Sequence, residues 1–172
     1  METSEVSETS QRGAAVGGPA FLEVDVREVA WDDADAVALR AGQRAEIAEM
    51  YGTPDSEAGQ PPSADDVAVF LVAYGPDGTP LGCGGLRRLD GATGEVKRMY
   101  VTPGARGTGA AGAILRALED WARRSGWSAL RLETGDRQLA AVRFYTRAGY
   151  ARIPNFGPYE HVPDSLCFER AL

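Results

Sequence analysis

The sequence predicts an α+β fold: a mixed, mostly antiparallel sheet that contains one β-α-β crossover. Several segments alternate apolar with polar residues, and two pairs of them are joined by the short turns "PDG" at residues 76–78 and "DGATG" at residues 90–94. A glycine-rich loop then leads into an amphipathic helix and a further strand. Tight turns join antiparallel strands, whereas a helix between two strands makes them parallel. The sequence therefore predicts one crossover within a sheet of hairpins.

The N-terminal part of the chain is predicted to run from a tail into a strand and a helical region. Residues 1–20 are rich in Ser, Thr, Glu, Gly and Ala, so we expect a disordered tail there. "LEVDVRE" at residues 22–28 alternates with the period of a half-buried strand. The helical region begins near Asp33 and ends at Gly52, and Gly42 is expected to split it into two helices.

The remaining segments predict a meander of three strands and then two helices that alternate with strands. Residues 67–75, 80–89 and 95–101 form the meander, and the helix after the glycine-rich loop carries apolar residues along one face. The later elements are a strand "SALRLETG", a helix "QLAAVRFYTRAG" and the closing strands "YARIPNFGPY" and "LCFERAL". The predicted order is β-α-α-β-β-β-α-β-α-β-β.

Composition indicates one globular domain over residues 21–172. The chain has 172 residues, of which 44% are hydrophobic and 25% charged, and its net charge is −7. That acidic balance disfavours binding to nucleic acid or to an anionic membrane, because both need a basic surface. No apolar run approaches the roughly 18 residues of a membrane span and no secretory signal is evident, so a cytoplasmic location is predicted.

Metal and covalent chemistry are not predicted for this chain. Cys83 and Cys167 are its only cysteines and His161 its only histidine, and none of them belongs to a metal-binding or nucleophile motif. We therefore expect no metal ion and no Ser-His-Asp or Cys-His nucleophile.

The glycine-rich loop "VTPGARGTGAAGAIL" at residues 101–115 has the composition of a phosphate-binding loop. Gly107, Gly109 and Gly112 match the pattern G-x-G-x-x-G, and Glu133 follows at about the offset of a ribose-binding acid, which suggests a dinucleotide such as NAD. The topology disfavours that interpretation, because a dinucleotide fold needs a buried first strand and further β-α-β units. A triphosphate-binding loop is disfavoured because no Gly-Lys-Ser/Thr follows.

Small residues in this loop favour a different phosphate ligand. Gly107, Gly109 and Ala111 let backbone N–H groups point into one concavity, where the dipole of the following helix favours an anion. Arg106 adds a cation at the edge of the loop. The pattern Arg106-Gly-Thr-Gly109-Ala-Ala111 resembles motif A of the GCN5-related N-acetyltransferase (GNAT) family.

A second segment carries the same resemblance. The family's later signature, Asn-x-x-Ala-x-x-x-Tyr-x-x-x-Gly-Phe/Tyr, is matched by "QLAAVRFYTRAGY" at residues 138–150, with Gln138 in place of the usual Asn. The order of elements also agrees, and the resemblance covers about residues 22–172. It implies acetyl-CoA as cosubstrate, with its pantetheine arm along the strand and its pyrophosphate on the loop. The implied cofactor contacts are Met99, Val101, Arg106, Gly107, Thr108, Gly109, Ala110, Ala111, Gln138 and Tyr145.

The resemblance also implies the catalytic groups. Tyr145 is the expected general acid for the leaving thiolate, since a phenol and a coenzyme thiol have comparable basicity. Glu95 is the first candidate for the base that takes the ammonium proton through water. Glu133 is the alternative base, and a water chain without an essential carboxylate is a third option.

The predicted acceptor is a small amine that bears a carboxylate. Period-two alternation places Glu95, Lys97 and Met99 on one face of the strand. It places Arg98 and Tyr100 on the other face. Arg87 and either Lys97 or Arg98 are expected to pair with the carboxylate, and Tyr51 is expected to form a wall of the pocket. The alternatives are a non-catalytic acyl-CoA-binding module and, with less support, a dinucleotide-dependent oxidoreductase; the sequence is also compatible with a homodimer.

Overall fold

A computed structural model describes residues 23–53 and 57–172, so the predicted tail at residues 1–20 lies outside the described residues. The elements follow one another in the order predicted, with one exception in the first helical region. They are β1 (Asp25–Glu28), α1 (Ala34–Tyr51), β2 (Val67–Tyr74), β3 (Pro80–Asp90), β4 (Thr93–Val101), α2 (Ala110–Arg124), β5 (Ala129–Gly135), α3 (Leu139–Arg147), β6 (Ala151–Ile153) and β7 (Ser165–Ala171). No helix in this part of the chain is long and apolar enough to cross a membrane.

The described strands form one sheet in the order β1-β2-β3-β4-β5-β7-β6. All neighbours in it are antiparallel except β4 and β5, so the predicted α+β class with a single β-α-β crossover is confirmed. The parallel pairing of β4 with β5 extends from Thr93 opposite Ala129 to Glu95 opposite Arg131. Beyond Glu95 the two strands separate, which leaves the second half of β4 with one unpaired edge.

Helix α1 is continuous, so the predicted split at Gly42 is wrong. Asp33 caps its first turn through bonds from the N–H groups of Asp35 and Ala36, and Gly52 ends it in a left-handed conformation. Gly42 is retained inside the helix because the ring of Tyr100 packs against it: a Cβ atom there would lie 3.2 Å from the Tyr100 hydroxyl. The helical cost of glycine, about 1 kcal/mol relative to alanine, is thus offset by close packing on β4.

The two faces of the sheet carry different helices. Helices α2 and α3 cover one face, where the core contains Leu86, Val96, Leu118 and Leu132. Helix α1 covers the other face through a smaller cluster around Phe70. Any ligand that lies between the separated ends of β4 and β5 therefore has helices on both sides.

A β-bulge interrupts β4 and overturns the face assignment predicted for this strand. Tyr100 lies opposite Cys83 and Lys97 opposite Gly85, so β4 has one residue more than β3 over this stretch. Arg98 is the extra residue, with φ of +58° in the left-handed region. Lys97 and Arg98 therefore lie on the α1 side together, and the next residue, Met99, packs with the core under α2 and α3.

The first closing strand is much shorter than predicted. Strand β6 ends at Ile153, and residues 154–164 form a loop that contains a short 3-10 turn at Gly157–Tyr159. The side-chain amide of Asn155 donates hydrogen bonds of 3.0 to 3.2 Å to three backbone carbonyls of this region, which fixes the path of the loop. The consequence is that Tyr159 points back into the protein, where it is fully buried.

Candidate active site

A cavity of about 1100 Å³ extends from the glycine-rich loop along the free edge of β4 to helix α3. Its volume lies slightly above the usual range of about 300 to 1,000 Å³ for small-molecule sites. One wall is the face of α1 that carries Gln43, Glu46, Ile47 and Met50, at the i, i+3, i+4, i+7 spacing of a helix surface. The predicted cofactor contacts all line it: Met99, Val101, Arg106, Gly107, Thr108, Gly109, Ala110, Ala111, Gln138 and Tyr145.

The glycine-rich loop has the backbone geometry of an anion site. Gly107 and Gly109 have φ of +79° and +95°, a region that residues with a side chain rarely adopt. Gly109 is the N-cap of α2, and no side chain caps the helix there. The N–H groups of the first turn of α2 therefore have no side-chain acceptor, and the helix dipole adds partial positive charge at the same place.

Two side chains already donate hydrogen bonds to backbone carbonyl groups on the unpaired edge of β4. Gln43 donates a hydrogen bond from Nε2 to the carbonyl oxygen of Met99 at 2.9 Å. Arg106 donates from Nε to the carbonyl oxygen of Val101 at 3.2 Å, and its Nη2 pairs with Glu46 of α1 at 2.6 Å. These bonds show that the main-chain groups of Met99 and Val101 face the cavity and can accept hydrogen bonds from a ligand beside the strand.

Tyr145 lies at the inner end of the cavity, in α3. It is buried against Phe144 and Tyr150, with edge-to-face ring centroids 5.1 and 5.7 Å away, and burial raises the pKa of its hydroxyl. The phenol therefore stays protonated at neutral pH. No hydrogen bond joins its hydroxyl to another of the described residues, so the group is available to a ligand.

The predicted base, Glu95, lies outside this cavity on the α1 side of the sheet. Its side chain is fully buried, Oε1 accepts a hydrogen bond of 2.7 Å from the Tyr159 hydroxyl, and Oε2 accepts one of 2.7 Å from Nε of Arg87. Lys97 donates to the same Tyr159 hydroxyl at 2.9 Å and lies 3.8 Å from Oε1 of Glu95. Burial and Glu95 raise the pKa of Tyr159, which keeps it a neutral donor.

The predicted acceptor cations, Arg87, Lys97 and Arg98, form one polar cluster with Glu95, Tyr159 and Glu57. Lys97 and Arg98 hold the two carboxylate oxygens of Glu57, at 2.9 and 2.6 Å, because the bulge puts both cations on one side of β4. Arg87 reaches Asp66 at 3.4 Å in addition to Glu95. Each predicted cation is therefore paired with a carboxylate of the protein. Arg88, the remaining cation of this stretch, lies over Trp127.

Glu133 and Tyr51 lie where the separated strands meet the end of α1. Ser165 donates a hydrogen bond of 2.7 Å from its hydroxyl to Glu133, which is partly exposed. Burial raises the pKa of Glu133, and this effect outweighs the opposing influence of Ser165 and Lys97. The Tyr51 hydroxyl accepts a bond of 3.3 Å from the backbone N–H of Arg137, so it joins α1 to the start of α3.

Sequence reasoning did not identify Tyr159 or Glu57 as members of the polar cluster. Tyr159 falls within the predicted strand "YARIPNFGPY", and the sequence predicts no role for Glu57. Both come from loops that pack on each other, since a Cβ atom on Gly59 would lie 2.7 Å from Pro158. Both residues lie in loops that contain Gly and Pro, and such loops carry no periodic signal.

Two observations bear on metal and thiol chemistry in the described part of the chain. No three His, Cys, Asp or Glu side chains among residues 23–53 and 57–172 are placed to hold a metal ion. Cys83 is buried, and burial raises the pKa of its thiol to about 12, so it is protonated at neutral pH.

Comparison with known proteins agrees with this geometry. A family model described as the Acetyltransferase (GNAT) family matches residues 26–150. A relative from Azospirillum brasilense, named IAA acetyltransferase, is 45% identical over 104 residues, which are 60% of this chain and 67% of the relative. Further curated relatives are matched over 47% to 62% of their own length.

Solved structures show the same fold. A crystal structure from Klebsiella pneumoniae that is assigned to the acyl-CoA N-acyltransferases is 35% identical, with a TM-score of 0.74 over 87% of this chain and 97% of that one. The PaiA N-acetyltransferase of Thermoplasma acidophilum, solved in complex with coenzyme A, has a TM-score of 0.63 at 17% identity. Its alignment covers 88% of this chain and 100% of that one, and at this identity the likeness is one of fold.

Proposed function

The chain belongs to the GNAT family of acetyltransferases, and on that premise we propose that it transfers the acetyl group of acetyl-CoA to the primary amine of a small molecule. The transfer is direct, within a ternary complex of enzyme, acetyl-CoA and acceptor. One observation carries the proposal: a single cavity is lined by the glycine-rich loop, the unpaired edge of β4 and Tyr145. An extended ligand with an anionic end and a reactive end fits that shape.

The cofactor is oriented by its two ends. The pyrophosphate lies on the N–H groups of Gly107 to Ala111, where glycines allow close backbone approach. The pantetheine arm lies along Met99 and Val101 as an added strand, and its amides share or replace the bonds from Gln43 and Arg106. A protein of the same fold has been solved with coenzyme A, which supports this choice of ligand.

The reaction forms one bond, breaks another and moves the protons that these changes require. The neutral amine nitrogen forms a bond to the thioester carbonyl carbon, the carbon–sulfur bond breaks, and the departing thiolate takes a proton from the Tyr145 hydroxyl. A base removes one proton from the ammonium form of the amine before the attack, and the proton that the nitrogen loses as the amide forms restores the Tyr145 hydroxyl. No covalent enzyme intermediate is required in this scheme.

Two carboxylates are candidates for the base, and the geometry gives them different tasks. Glu95 is enclosed by Arg87 and Tyr159, so it reaches an acceptor only through Tyr159 and Lys97. Glu133 is partly exposed beside the separated strands, and its raised pKa brings it closer to the working pH of a general base. We infer that Glu133 receives the proton first and that Glu95 helps to hold Lys97 in position.

The acceptor is proposed to bear a carboxylate. Lys97 and Arg98 form a clamp that already holds the carboxylate of Glu57, so the chemistry of the site suits that group. The Azospirillum relative is named for a small-molecule acceptor, IAA, which supports a small molecule as the substrate class. In this proposal the acceptor's carboxylate takes the place of Glu57 on the clamp.

The test compares ligand binding with turnover. Acetyl-CoA at 100 times its Kd should raise the free energy of unfolding by about 2.7 kcal/mol, and NADH should leave it unchanged. A library of small amines is then screened for release of the coenzyme thiol. Stabilisation without turnover of any amine would favour a non-catalytic acyl-CoA-binding module, and no stabilisation would contradict the proposed function.

A further inference from the structure

Helix α3 carries the proposed acid, Tyr145, but buries little surface of its own. Tyr145 is buried, whereas the other residues of this nine-residue helix keep part of their surface exposed. A helix this short is marginal by itself, so its position depends on contacts with the rest of the protein. Tyr145 lies near the C-terminal end of α3, and the contacts made at that end therefore bear most directly on its position.

Tyr150 holds that end of α3 through its backbone and its ring. Its N–H donates a hydrogen bond of 3.0 Å to the carbonyl oxygen of Tyr145, and the N–H of Gly149, with φ of +89°, donates one of 3.1 Å to Thr146. These two bonds form a Schellman motif, which is often accompanied by a side-chain contact between the same two positions. Here that contact is between the rings of Tyr150 and Tyr145, with centroids 5.7 Å apart.

The hydroxyl of Tyr150 is bound by Glu119, a carboxylate buried in α2. It donates a hydrogen bond of 3.1 Å to Oε1 of Glu119, which is 3% exposed. Burial and the negative charge of Glu119 raise the pKa of Tyr150, so its hydroxyl stays a donor at neutral pH. A buried group that loses its partner has no water to replace it, so this bond restrains the ring. Tyr150 is thus held by its backbone at one end and by Glu119 at the other.

Arg170 of β7 connects the same carboxylate to α3. Its Nη1 lies 3.0 Å from Oε1 of Glu119 and donates a hydrogen bond of 2.7 Å to the carbonyl oxygen of Ala148, the C-cap of α3. Arg123 contributes less, because it lies 3.9 Å from Oε2 of Glu119, is 42% exposed and pairs with Asp120. Glu119 therefore ties α2, β7 and the end of α3 together.

The cavity makes no direct use of this buried carboxylate. Glu119 does not line it, and the residue lies nine positions after the start of α2 at Ala110, about 14 Å along the helix from the glycine-rich loop. A buried ion pair often adds no more stability than a hydrophobic residue of similar size, so stability alone is a weak reason for a charge at this position. Its contact with Tyr150 gives a second reason.

We propose that Glu119, together with Arg170, is a positioning residue that keeps the Tyr145 hydroxyl in place for proton transfer by fixing Tyr150. This inference rests on the proposed function, because it takes Tyr145 as the acid. Within the described part of the chain the Tyr145 hydroxyl makes no hydrogen bond, so its position is set by the packing of its ring. A displacement of a reacting group on the order of 1 Å can lower the rate by about 100-fold.

The experiment is a double-mutant cycle on kcat, and its acceptor is the amine that gives the fastest thiol release in the library screen. Tyr150→Phe keeps the ring and the Schellman bonds but loses the bond to Glu119, and it should lower kcat by about 3- to 30-fold. Glu119→Leu removes the anchor and should lower kcat by about 10- to 100-fold. Glu119→Gln keeps an oxygen that can accept both bonds, so it should retain most of the wild-type kcat. The KM for acetyl-CoA should stay within about twofold in all three variants, because the loop lies at the other end of α2.

A second arm separates positioning from a purely structural role. The same substitutions are made in the Tyr145→Phe variant, where no hydroxyl is left to position. There they should lower kcat by less than about twofold, because residues that act as one unit are not additive. A structural role would lower kcat by a similar factor in both backgrounds. Urea denaturation reports the stability of each variant, and Tyr150→Phe gives the answer if Glu119→Leu does not fold.

The matched control is Asp120→Asn, which removes the neighbouring carboxylate of α2, where the side chain is 60% exposed and pairs with Arg123. It should leave kcat unchanged in both backgrounds. The inference is overturned if Tyr150→Phe and any folded Glu119→Leu keep wild-type kcat, if their effects are equally large in the Tyr145→Phe background, or if Glu119→Gln loses as much as Glu119→Leu. A Tyr145→Phe variant with wild-type kcat would overturn it together with the role of the acid. Absence of turnover by wild type would contradict the proposed function itself.

Discussion

The hydroxyl of Tyr159 donates a hydrogen bond of 2.7 Å to Oε1 of Glu95, and neither residue has any surface exposed to solvent. A carboxylate in such a place is stable only if it is paired and hydrogen-bonded. Arg87 supplies the charge, and Tyr159 supplies the second donor from a loop far along the chain. The pair therefore fastens the loop at residues 154–164 to β4.

Replacement of Tyr159 by phenylalanine should lower the free energy of unfolding by about 1 to 3 kcal/mol, because one oxygen of a buried carboxylate loses its donor. Urea denaturation measures the effect. Tyr51→Phe is the control, since the Tyr51 hydroxyl accepts a longer hydrogen bond of 3.3 Å at a less buried site. This variant should lose less of the free energy of unfolding than Tyr159→Phe does. Equal values for the two variants would show that the bond to Glu95 has no special weight.

Tyr145→Phe should lower kcat by about 10- to 10⁴-fold, because general acid catalysis acts in the transition state. The affinity for acetyl-CoA should change little, since the ring and its packing on Phe144 and Tyr150 remain. Steady-state kinetics and a separate binding measurement distinguish the two quantities. A variant with wild-type kcat would reduce Tyr145 to a packing residue.

Gly109→Val should raise the KM for acetyl-CoA strongly. Gly109 has φ of +95°, where a β-branched residue is strained by on the order of 1 to 3 kcal/mol, so the loop has to change its path. Gly104→Ala is the control: it lies in the preceding turn, and a Cβ atom there meets no atom within 4 Å. Circular dichroism checks that both variants are folded, and an unchanged KM for Gly109→Val would move the pyrophosphate elsewhere.

The two candidate bases predict different pH profiles. Burial raises the pKa of Glu133 above its ordinary value of about 4.3, so its base form is lost as pH falls through the raised pKa. If Glu133 is the base, Glu133→Gln should lose the most kcat/KM at neutral pH and recover in part at high pH, where the amine is already neutral. Glu95→Gln should instead shift the profile or lower stability, and a Glu133→Gln profile parallel to wild type would return the role to Glu95 or to water.

The acceptor is tested by comparing an amino acid with its amide. An amide lacks the carboxylate, so Lys97 and Arg98 stay paired with Glu57. The value of kcat/KM should then fall by about tenfold for each 1.4 kcal/mol of lost interaction. Glu57→Gln should lower the KM for the acid more than for the amide, because the internal competitor is weakened. Equal kcat/KM values for acid and amide, or a preference for polyamines, would contradict a carboxylate-bearing acceptor.

The sequence predicts the parts of this molecule that depend on neighbouring residues. Hairpins follow from turn chemistry, and the glycine-rich loop follows from small residues before an amphipathic helix. Gly42 misleads because its role depends on Tyr100, which is distant in sequence. Glu95 and Tyr159 are 64 positions apart in sequence, and no pattern around either residue predicts that the two form a hydrogen bond.

The β-bulge at Arg98 is a second feature that the sequence pattern does not predict. Left-handed backbone is typical of glycine, asparagine and aspartate, so an arginine gives no warning of it. Strict alternation through Arg98 therefore places Met99 and Tyr100 on the wrong faces of β4. The predicted cofactor contacts do not depend on this alternation, because most of them are main-chain groups and small residues.

Arg98 is best described as a residue inserted into an otherwise regular strand. If it is removed from the order, the residues on either side alternate without interruption, so no core side chain would change face. An extra residue at this position thus adds a cation next to Lys97 without changing which side chains of β4 face the core. Related chains that lack this residue should keep the fold and differ in the charge they present to Glu57.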